Sequence, residues 1–319
     1  MASAENAMLC RICNEPMRAW SSRWLGFSWG RCRNCGSVQK LIDESTFDGL
    51  SPNYDPGFLS SHTTVRSELE ASMDVEGKGR LLERLLAPNG SGRLLDIGCG
   101  MGGFLLAGKR LGYEVFGVEP SASHGKAAVE VFGLNVVQGY FNSRDFSTQF
   151  DVVILSHVIE HIYRPAQFLV DVMRVVSPGG KLIVISPNCK SLAAVACGRF
   201  WSMYKPIDHV TLVTKAAIKV AVPPGCAVHH LYTSEWPGEF AAHIVSALKT
   251  ARKPELSNVG ASIKSAGSVR QNTIGLALRF VLAALSFPFY VAAGAVDSRA
   301  CLYAVITKNS ITDKSSCCE

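Results

Sequence analysis

Four cysteines near the start of the chain have the spacing of a zinc site. Cys10 and Cys13 form one CxxC pair, and Cys32 and Cys35 form a second. Each pair can present two thiolates from one tight turn, and two such turns make the tetrahedral sulfur cage that zinc prefers. Because a closed four-sulfur site leaves no position for a substrate, we expect a structural zinc ion in a zinc-ribbon-like module over residues 1–45. Four thiols without a metal are the alternative.

A glycine-rich turn farther along the chain could hold a cofactor. Residues 96–103 read DIGCGMGG and fit both the GxGxG and the GxGxxG pattern. A dinucleotide would place its pyrophosphate at the N-terminus of the following helix, where the carboxylate of Asp96 would repel it. S-adenosylmethionine has no phosphate, and a nearby carboxylate stabilises its cationic ammonium and sulfonium. The charges therefore favour S-adenosylmethionine, and Glu119 could accept hydrogen bonds from the ribose of either cofactor.

The segments around this turn alternate between strand and helix patterns. Short apolar runs that predict buried strands occupy residues 93–97, 150–155 and 181–185, and a further strand ends at Glu119. Helices are predicted near residues 104–111 and over residues 165–176, where Ser-Pro-Gly-Gly ends the second one. The alternation predicts an α/β, doubly wound fold with a mostly parallel sheet.

Four segments stand in an order and at separations that indicate a family. They are LLDIGCGMGGF, VFGVEPS, FDVVILSHVIEHIYRPAQFL and VVSPGGKLIVISPN. They resemble the successive motifs of the class I S-adenosylmethionine-dependent methyltransferases, especially the bacterial group related to the ubiquinone-pathway O-methyltransferases. The likeness covers about residues 80–220. It implies a seven-stranded, Rossmann-like methyltransferase sheet with one antiparallel strand, the last strand being residues 301–308.

The sequence pattern and the resemblance together suggest how the chain is divided. A linker with lead-in helices is expected over residues 46–91, and the methyltransferase domain over residues 92–319. Paired cysteines in front of such a domain resemble those of many bacterial methyltransferases that act on sugars, lipids and secondary metabolites.

Roles for individual residues follow from the same resemblance. The methionine part of the cofactor would contact residues of the glycine-rich turn, namely Asp96, Gly98, Cys99, Gly100 and Gly102. Glu119 would bind the ribose, and Ser156 and His157 would approach the reacting end. Many relatives have an acidic residue after the third strand to bind the adenine amino group. This chain reads VVQGYFN there, so Gln138, Tyr140 or Asn142 would have to serve instead.

Three histidines raise the question of a catalytic base. His157, Glu160 and His161 spell HxxEH, a pattern that one class of zinc peptidases also uses. Its position directly after a predicted strand of a methyltransferase argues against a peptidase. His161 could take a proton from an acceptor hydroxyl, because an unperturbed imidazole titrates near neutral pH, or it could only shape the pocket. His209, in a segment resembling the family's capping stretch together with Pro206, either closes over the acceptor or caps a helix.

An apolar run near the C-terminus could contact a membrane. Residues 280–296 contain no charge and lie in a helical insertion expected near residues 274–297. The run is shorter than the roughly 20 residues of a membrane span and contains Pro288. An interfacial helix with basic flanks would suit a lipid-linked acceptor, whereas a helix packed on the sheet would not meet lipid. The start of the chain lacks an export-signal pattern, so we expect a cytoplasmic protein that could reach the inner face of the membrane.

Length and composition allow an enzyme of this kind. The 319 residues are 48% hydrophobic and 18% charged, which excludes a largely disordered chain. We therefore expect methyl transfer to a small-molecule, sugar or lipid-linked acceptor, most readily at oxygen.

Three further functions stay open. An RNA methyltransferase could use the zinc module, because residues 1–40 carry six basic and two acidic side chains. However, the Asn/Asp-Pro-Pro-aromatic turn of base-amino methylation is replaced by LSHV, so nucleic acid is not the expected partner. The second function is that of a non-catalytic binding protein, and the third is that of a dehydrogenase. The intact glycine-rich turn with Asp96 argues against a non-catalytic binding protein, and the charge of Asp96 argues against a dehydrogenase.

Overall fold

The computed structural model describes residues 8–24, 27–50, 70, 73–86, 91–204, 208–235, 239–252, 284 and 287–310. The strands in chain order are β1 (Met17–Trp24), β2 (Phe27–Cys32), β3 (Val38–Lys40), β4 (Arg93–Ile97), β5 (Glu114–Glu119), β6 (Val136–Gln138), β7 (Phe150–Ser156), β8 (Val176–Pro187), β9 (Thr211–Leu212), β10 (Cys226–Ser234) and β11 (Cys301–Lys308). The helices are α1 (Glu44–Leu50), α2 (Val75–Leu85), α3 (Gly103–Arg110), α4 (Ala122–Glu130), α5 (Pro165–Val175), α6 (Leu192–Cys197), α7 (Lys215–Ala221) and α8 (Glu239–Arg252).

Seven strands form the central sheet, in the order β10-β11-β8-β7-β4-β5-β6. The ladders joining β8, β7, β4, β5 and β6 are parallel, and β11 runs antiparallel to both of its neighbours. The predicted α/β, doubly wound methyltransferase sheet with one antiparallel strand is therefore confirmed, and that strand covers residues 301–308 as expected.

The central strands are buried on both faces, as a parallel sheet covered by helices requires. Leu94 and Leu95 are adjacent in β4, so their side chains point to opposite faces. Both are fully buried, and they belong to two different clusters of core residues. Replacing either leucine by alanine is expected to cost about 2–5 kcal/mol of stability.

The turn after α5 differs from the sequence-based expectation. Helix α5 ends at Val175, and Val176 already pairs with Phe150 of β7. The Ser-Pro-Gly-Gly segment then bulges, with Gly179 at a φ of +77°, before Lys181 pairs with Val152. The segment therefore lies within β8, because the ladder to β7 begins before the bulge and resumes after it.

The cysteine-containing segment forms a second, antiparallel sheet, in the order β1-β2-β3-β9. Its last strand, Thr211–Leu212, comes from the middle of the chain and pairs with Val38 and Gln39 of β3. Sequence reasoning missed this pairing, because β9 has only two residues and its partner lies far away in the sequence. The sheet of the N-terminal module is thus completed by a strand from the part of the chain that carries the central sheet.

Part of the apolar run is described. Residues 287–295 are helical, whereas residues 280–283, 285 and 286 lie outside the described residues. Phe289 stacks on Phe240 of α8, with ring centroids 4.9 Å apart, and Ala293 is buried. Across the portion of the chain with assigned structure, no helix is long and apolar enough to cross a membrane.

Candidate active site

The predicted site residues meet at one edge of the central sheet. Ile97 at the end of β4 is in register with Val118 of β5 and with Leu155 of β7. Ser156, the last residue of β7, pairs with Ile185 of β8. The carboxyl ends of parallel strands form the ligand-binding edge of such sheets. The glycine-rich turn, Glu119 and the histidine segment all leave the sheet at this edge.

Asp96 lies buried at the base of the glycine-rich turn. Its side chain is 2% exposed, and its Oδ1 has no hydrogen-bond partner among the residues that the structure describes. Burial raises the pKa of Asp96 to about 8; the charge of Lys78 opposes this shift and that of Glu119 adds to it. A buried carboxylate oxygen without a partner fits the ammonium of S-adenosylmethionine, which would supply both a charge and hydrogen-bond donors.

The glycines of the turn leave room for a ligand. Gly98 and Gly100 have φ angles of +72° and +56°, which favour glycine. A Cβ on Gly98 would lie 2.7 Å from Cγ2 of Val158, whereas a Cβ on Gly100 would meet nothing within 4 Å. The backbone at Gly100 therefore faces open space, into which a bound cofactor could fit.

Glu119 holds this turn in place. Its Oε2 accepts a hydrogen bond from the backbone N–H of Gly100 at 2.7 Å, and its Oε1 accepts one from Ser121 at 2.8 Å. An ionised carboxylate has about four lone-pair positions, so two remain for ribose hydroxyls. Glu119 can thus order the turn and bind the cofactor together.

Two other predicted residues of the turn have different surroundings. The Cys99 side chain points into the core, where a Cβ on Gly117 would lie 2.8 Å from its Sγ. Burial raises the pKa of this thiol. Gly102 caps α3, and a Cβ there would collide with Leu134. Cys99 can therefore contact a cofactor only through its backbone, and Gly102 is required by packing.

Lys78 lies beside Asp96 at the candidate site, and sequence reasoning did not single it out. It lies in α2, on the same face as the buried residues Val75, Leu82 and Leu85. Its ammonium lies near Asp96, donates to the carbonyl of Met73 and lies 5.3 Å from the ring centroid of Phe104. Burial lowers the pKa of Lys78, and Asp74 and Asp96 oppose that shift. A lysine on the apolar face of a predicted helix was the signal available in the sequence.

The three residues expected near the adenine have different surroundings. Oδ1 of Asn142 accepts a hydrogen bond from the backbone N–H of Arg144 at 3.1 Å. This bond caps the short helical turn Ser143–Asp145. Tyr140 is 66% exposed, and Gln138 ends β6 on its exposed side. An adenine contact from Gln138 or Tyr140 stays a prediction.

The HxxEH segment forms a compact polar cluster after β7. Glu160 is fully buried; its Oε1 lies 3.2 Å from Nδ1 of His157, and its Oε2 accepts from Ser186 at 3.1 Å. Burial acts to raise the pKa of Glu160, but the hydrogen bond from His157 and the charges of three histidines lower it to about 2. Hydrogen bonds with Cys301 and Glu160 raise the pKa of His157, whose side chain is 53% exposed.

The segment does not have peptidase geometry. His157 has a φ of +56°, and Ile159–His161 form a single 3-10 turn. The two histidines are therefore not presented from successive turns of one α-helix, as that class of zinc site requires.

His209 joins this cluster from a distant part of the chain. Its ring meets the ring of His161 edge to face, with centroids 4.8 Å apart. Nδ1 of His161 donates to the carbonyl of Asp208 at 3.1 Å, and Nδ1 of His209 donates to that of Met203 at 2.7 Å. In both neutral rings the lone pair is then on Nε2.

Ligand atoms of Glu160, His161 and His209 lie within 4.8 Å of one another, a spacing that a divalent metal could also use. Pro206 lies outside the described residues.

The four cysteines converge as their spacing predicts. Their Sγ atoms all lie within 4.8 Å of one another; Cys10 and Cys35 are 3.6 Å apart, and Cys13 and Cys32 are 3.4 Å apart. Four sulfurs around a zinc ion would be about 3.8 Å apart, given Zn–S bonds of about 2.3 Å. Hydrogen bonds, chiefly from Cys35, lower the pKa of Cys10 to about 4, although burial opposes this. The donor set and its spacing therefore fit zinc.

Comparison with known proteins agrees with this site. A family model described as a methyltransferase domain matches residues 68–222. A ubiquinone biosynthesis O-methyltransferase of Maricaulis maris is 30% identical over 184 residues, which cover 51% of this chain and 72% of that protein. Its counterpart from Caulobacter sp. is 31% identical over 147 residues, covering 44% of this chain and 56% of that protein. The solved structure of a SAM-dependent methyltransferase from Archaeoglobus fulgidus is similar at a TM-score of 0.44 and 20% identity, covering 74% of this chain and 95% of that one.

The glycine-rich turn, the buried Asp96 and the sheet order define a cofactor-binding enzyme fold, and the matches to the family model and to the Maricaulis maris protein identify its class. The chain belongs to the class I S-adenosylmethionine-dependent methyltransferases, in the bacterial group related to the ubiquinone biosynthesis O-methyltransferases. It is accordingly an S-adenosylmethionine-dependent methyltransferase.

Proposed function

We propose that this enzyme methylates a hydroxyl oxygen of a small-molecule, sugar or lipid-linked acceptor. The observation that carries the proposal is the pair of imidazoles, His161 and His209, beside the ionised Glu160 at the cofactor edge of the sheet. Methyl transfer at a hydroxyl requires removal of a proton, for which a histidine near neutral pH is suited. The names of the relatives from Maricaulis maris and Caulobacter sp. support oxygen as the atom methylated.

The polar cluster can accept and stabilise that proton. Nε2 of His161 or His209 would take the proton from the acceptor hydroxyl, so that its oxygen could accept the methyl group that bound S-adenosylmethionine would supply. The resulting imidazolium is stabilised by Glu160, which burial and its hydrogen bonds to His157 and Ser186 hold in place. S-adenosylmethionine supplies the activated methyl group when bound. Most of the remaining rate comes from positioning, because the reaction needs two molecules aligned in one line.

Cofactor binding is assigned to the residues of the turn and to one lysine. Asp96 would bind the ammonium, and the backbone from Gly98 to Gly100 would contact the methionine part. Glu119 would accept from the ribose. Lys78 lies beside Asp96 and could pair with the methionine carboxylate, so that the two charges of the amino acid meet two opposite charges. Ser156 and His157 would line the reacting end.

Structural zinc at Cys10, Cys13, Cys32 and Cys35 is part of the proposal. The spacing of the sulfurs and the burial of three of the cysteines support it. Metal analysis of the purified chain should give about one zinc per chain, and none after Cys10 and Cys35 are both replaced by serine. Cys197 in α6 and Cys226 in β10 provide the matched control, because their replacement should leave the metal content unchanged.

RNA methylation is less well supported. Of the six basic residues of the N-terminal module, Lys40 is fully buried and lies over the ring of Phe27. Arg11 binds the carbonyls of Ile42 and Val210, and Arg31 packs on Trp20. These contacts occupy charges that would otherwise attract phosphates. Copurification of RNA that resists high salt would favour RNA over a small molecule, sugar or lipid as the acceptor.

The proposal is tested with S-adenosylmethionine that carries a deuterated methyl group. The purified protein is incubated with 3,4-dihydroxybenzoate, with a free hexose and with a prenylated phenol, and products are analysed by mass spectrometry. Label on a hydroxyl oxygen of one of these, lost or strongly reduced with His161→Asn or with His209→Asn, supports the proposal. Label on carbon, or label in both variants equal to that of the unaltered protein, contradicts it.

Contact with a membrane is proposed through the exposed part of the apolar run. Phe287, Val291 and Val296 are each more than half exposed in the described helix and the turn that follows. Basic residues before the run, of which Lys249 is exposed on α8, would complement anionic lipid. Such contact would bring the enzyme to a lipid-linked acceptor.

A further inference from the structure

The cysteine cluster is connected to the histidine pair by one short segment of the chain. We call residues 208–214 the bridging segment. It begins beside His209, continues through β9 and ends at Thr214, which caps α7. It is hydrogen-bonded along both edges. One edge contacts the cysteine-containing sheet, and the other contacts the HxxEH turn, Ile159–His161.

The first edge is bonded to the two cysteine loops. Thr214 donates its hydroxyl to the carbonyl of Cys35 at 2.6 Å, a bond that is fully buried. Arg11, which lies between Cys10 and Cys13, donates to the carbonyl of Val210 at 2.9 Å. The two CxxC loops thus each hold one end of the bridging segment.

The second edge is hydrogen-bonded to the HxxEH turn. The N–H of Val210 donates to the carbonyl of Glu160 at 2.8 Å, while the carbonyl of Val210 accepts from the N–H of Lys40 at 3.0 Å. Val210 therefore bonds β3 on one side and the HxxEH turn on the other. His209 is the residue directly before it, so its ring position depends on this double attachment.

We propose that the two cysteine loops position His209 against Glu160 and His161, so that the cysteine cluster organises the acceptor end of the active site. The inference rests on the proposed function, because it assigns the histidine pair to the acceptor. Cofactor binding should not depend on the bridging segment. The glycine-rich turn is held by β4, β5 and Glu119, and it makes none of the contacts described for that segment. Loss of the attachment should loosen the histidine pair and leave the cofactor site intact.

Hydrogen exchange of the metal-loaded full chain tests this positioning directly. Thr214→Val removes the bond to Cys35, and Arg11→Met removes the bond to Val210. Each should speed exchange of amides in residues 208–214 by about tenfold, the effect of losing one buried hydrogen bond. Amides of β4 should be unchanged, and the dissociation constant for S-adenosylhomocysteine should change less than about twofold, because no contact of the cofactor turn is removed.

Two variants serve as controls. Thr214→Ser keeps the hydroxyl and should behave as the unaltered protein. Ser191→Ala removes the equivalent N-cap of α6, whose Oγ accepts from Ala194, and should leave residues 208–214 unchanged. With an acceptor that the unaltered enzyme methylates, Thr214→Val and Arg11→Met should lower kcat and leave the KM for S-adenosylmethionine nearly unchanged.

The outcomes separate the inference from the proposed function. Unchanged exchange in residues 208–214 for Arg11→Met and Thr214→Val would overturn the inference, and so would an equal change with Ser191→Ala. A parallel loss of S-adenosylhomocysteine binding in both variants would also overturn it, because the effect would then be general. Failure of the unaltered protein to methylate any hydroxyl would contradict the proposed function alone, since the exchange measurement needs no acceptor.

Discussion

The imidazole rings of His161 and His209 meet edge to face, with centroids 4.8 Å apart, although the residues belong to different segments of the chain. Each ring donates its Nδ1 hydrogen to a backbone carbonyl, which fixes the tautomer. Glu160, ionised and buried, lies within reach of both. This arrangement is the basis for assigning proton transfer to the cluster.

The histidines should affect catalysis and not cofactor binding. Replacing His161 or His209 by asparagine should lower kcat by about 10²–10⁴-fold for the histidine that acts as base, the usual contribution of a general base. The other variant should lose less, because it would mainly disturb the position of its neighbour. Steady-state kinetics on a hydroxyl acceptor measure both. Two variants with unaltered kcat would rule out a histidine base.

The pH dependence of cofactor binding should reflect Asp96. Its pKa of about 8 in the free protein means that the carboxyl is protonated at neutral pH, whereas the cofactor ammonium requires it ionised. Affinity for S-adenosylhomocysteine should therefore rise about tenfold per pH unit between about pH 6 and pH 8 and then level off. Calorimetric titrations at several pH values measure this, and Asp96→Asn should bind weakly without that slope.

The same shift predicts how the stability of the free protein varies with pH. The folded-state pKa of Asp96 is raised above its ordinary value of 3.8. Its contribution to the free energy of unfolding is therefore fully present below about pH 4 and is lost as the pH rises to about 8. Asp96→Asn should remove this decline in thermal stability. A decline of equal size in the variant would assign it to another group.

Lys78 should contribute to binding through the carboxylate of the cofactor. Lys78→Met is expected to weaken S-adenosylhomocysteine binding by about tenfold or more, the loss of one charge-assisted hydrogen bond. Arg80→Met is the control, because Arg80 lies on the same helix with its side chain 70% exposed. Methylthioadenosine has no carboxylate, so Lys78→Met should not weaken its binding. Equal loss for both ligands would mean that Lys78 acts only on the fold or on Asp96.

The apolar run should bind anionic lipid through its exposed side chains. Phe287→Ser and Val296→Ser should reduce cosedimentation with phosphatidylglycerol vesicles, and added salt should reduce it further. Val220→Ser, at a residue 47% exposed on α7, is the matched control and should have no effect. Equal sedimentation with and without vesicles for the unaltered chain would contradict the contact.

Local patterns in the sequence were enough for much of the fold and for the glycine-rich turn of the proposed cofactor site. The turn from Asp96 to Gly103, its flanking strand and helix, and the two CxxC loops each depend on residues close together in the chain. Their geometry follows from glycine conformations, apolar periodicity and thiolate spacing. The βαβ unit ending at Glu119 was predictable for the same reason.

Contacts between distant segments could not be predicted in this way. The pairing of β3 with β9 brings His209 to Glu160, and nothing in a two-residue strand specifies its partner. The positive charge beside Asp96 was also missed, because Lys78 precedes the glycine-rich turn in a separate helix. Glu119 was assigned to the ribose alone, although its carboxylate first bonds the backbone of Gly100. Such contacts depend on the packed tertiary structure.

Calorimetric titration of the purified chain with S-adenosylhomocysteine, with NAD as the comparison ligand, tests the cofactor assignment most directly. We expect binding of S-adenosylhomocysteine, no binding of NAD, and loss of the S-adenosylhomocysteine signal in Asp96→Ala. Binding of NAD in preference, or undiminished S-adenosylhomocysteine binding by Asp96→Ala, would contradict the assignment of this turn to the methyl donor.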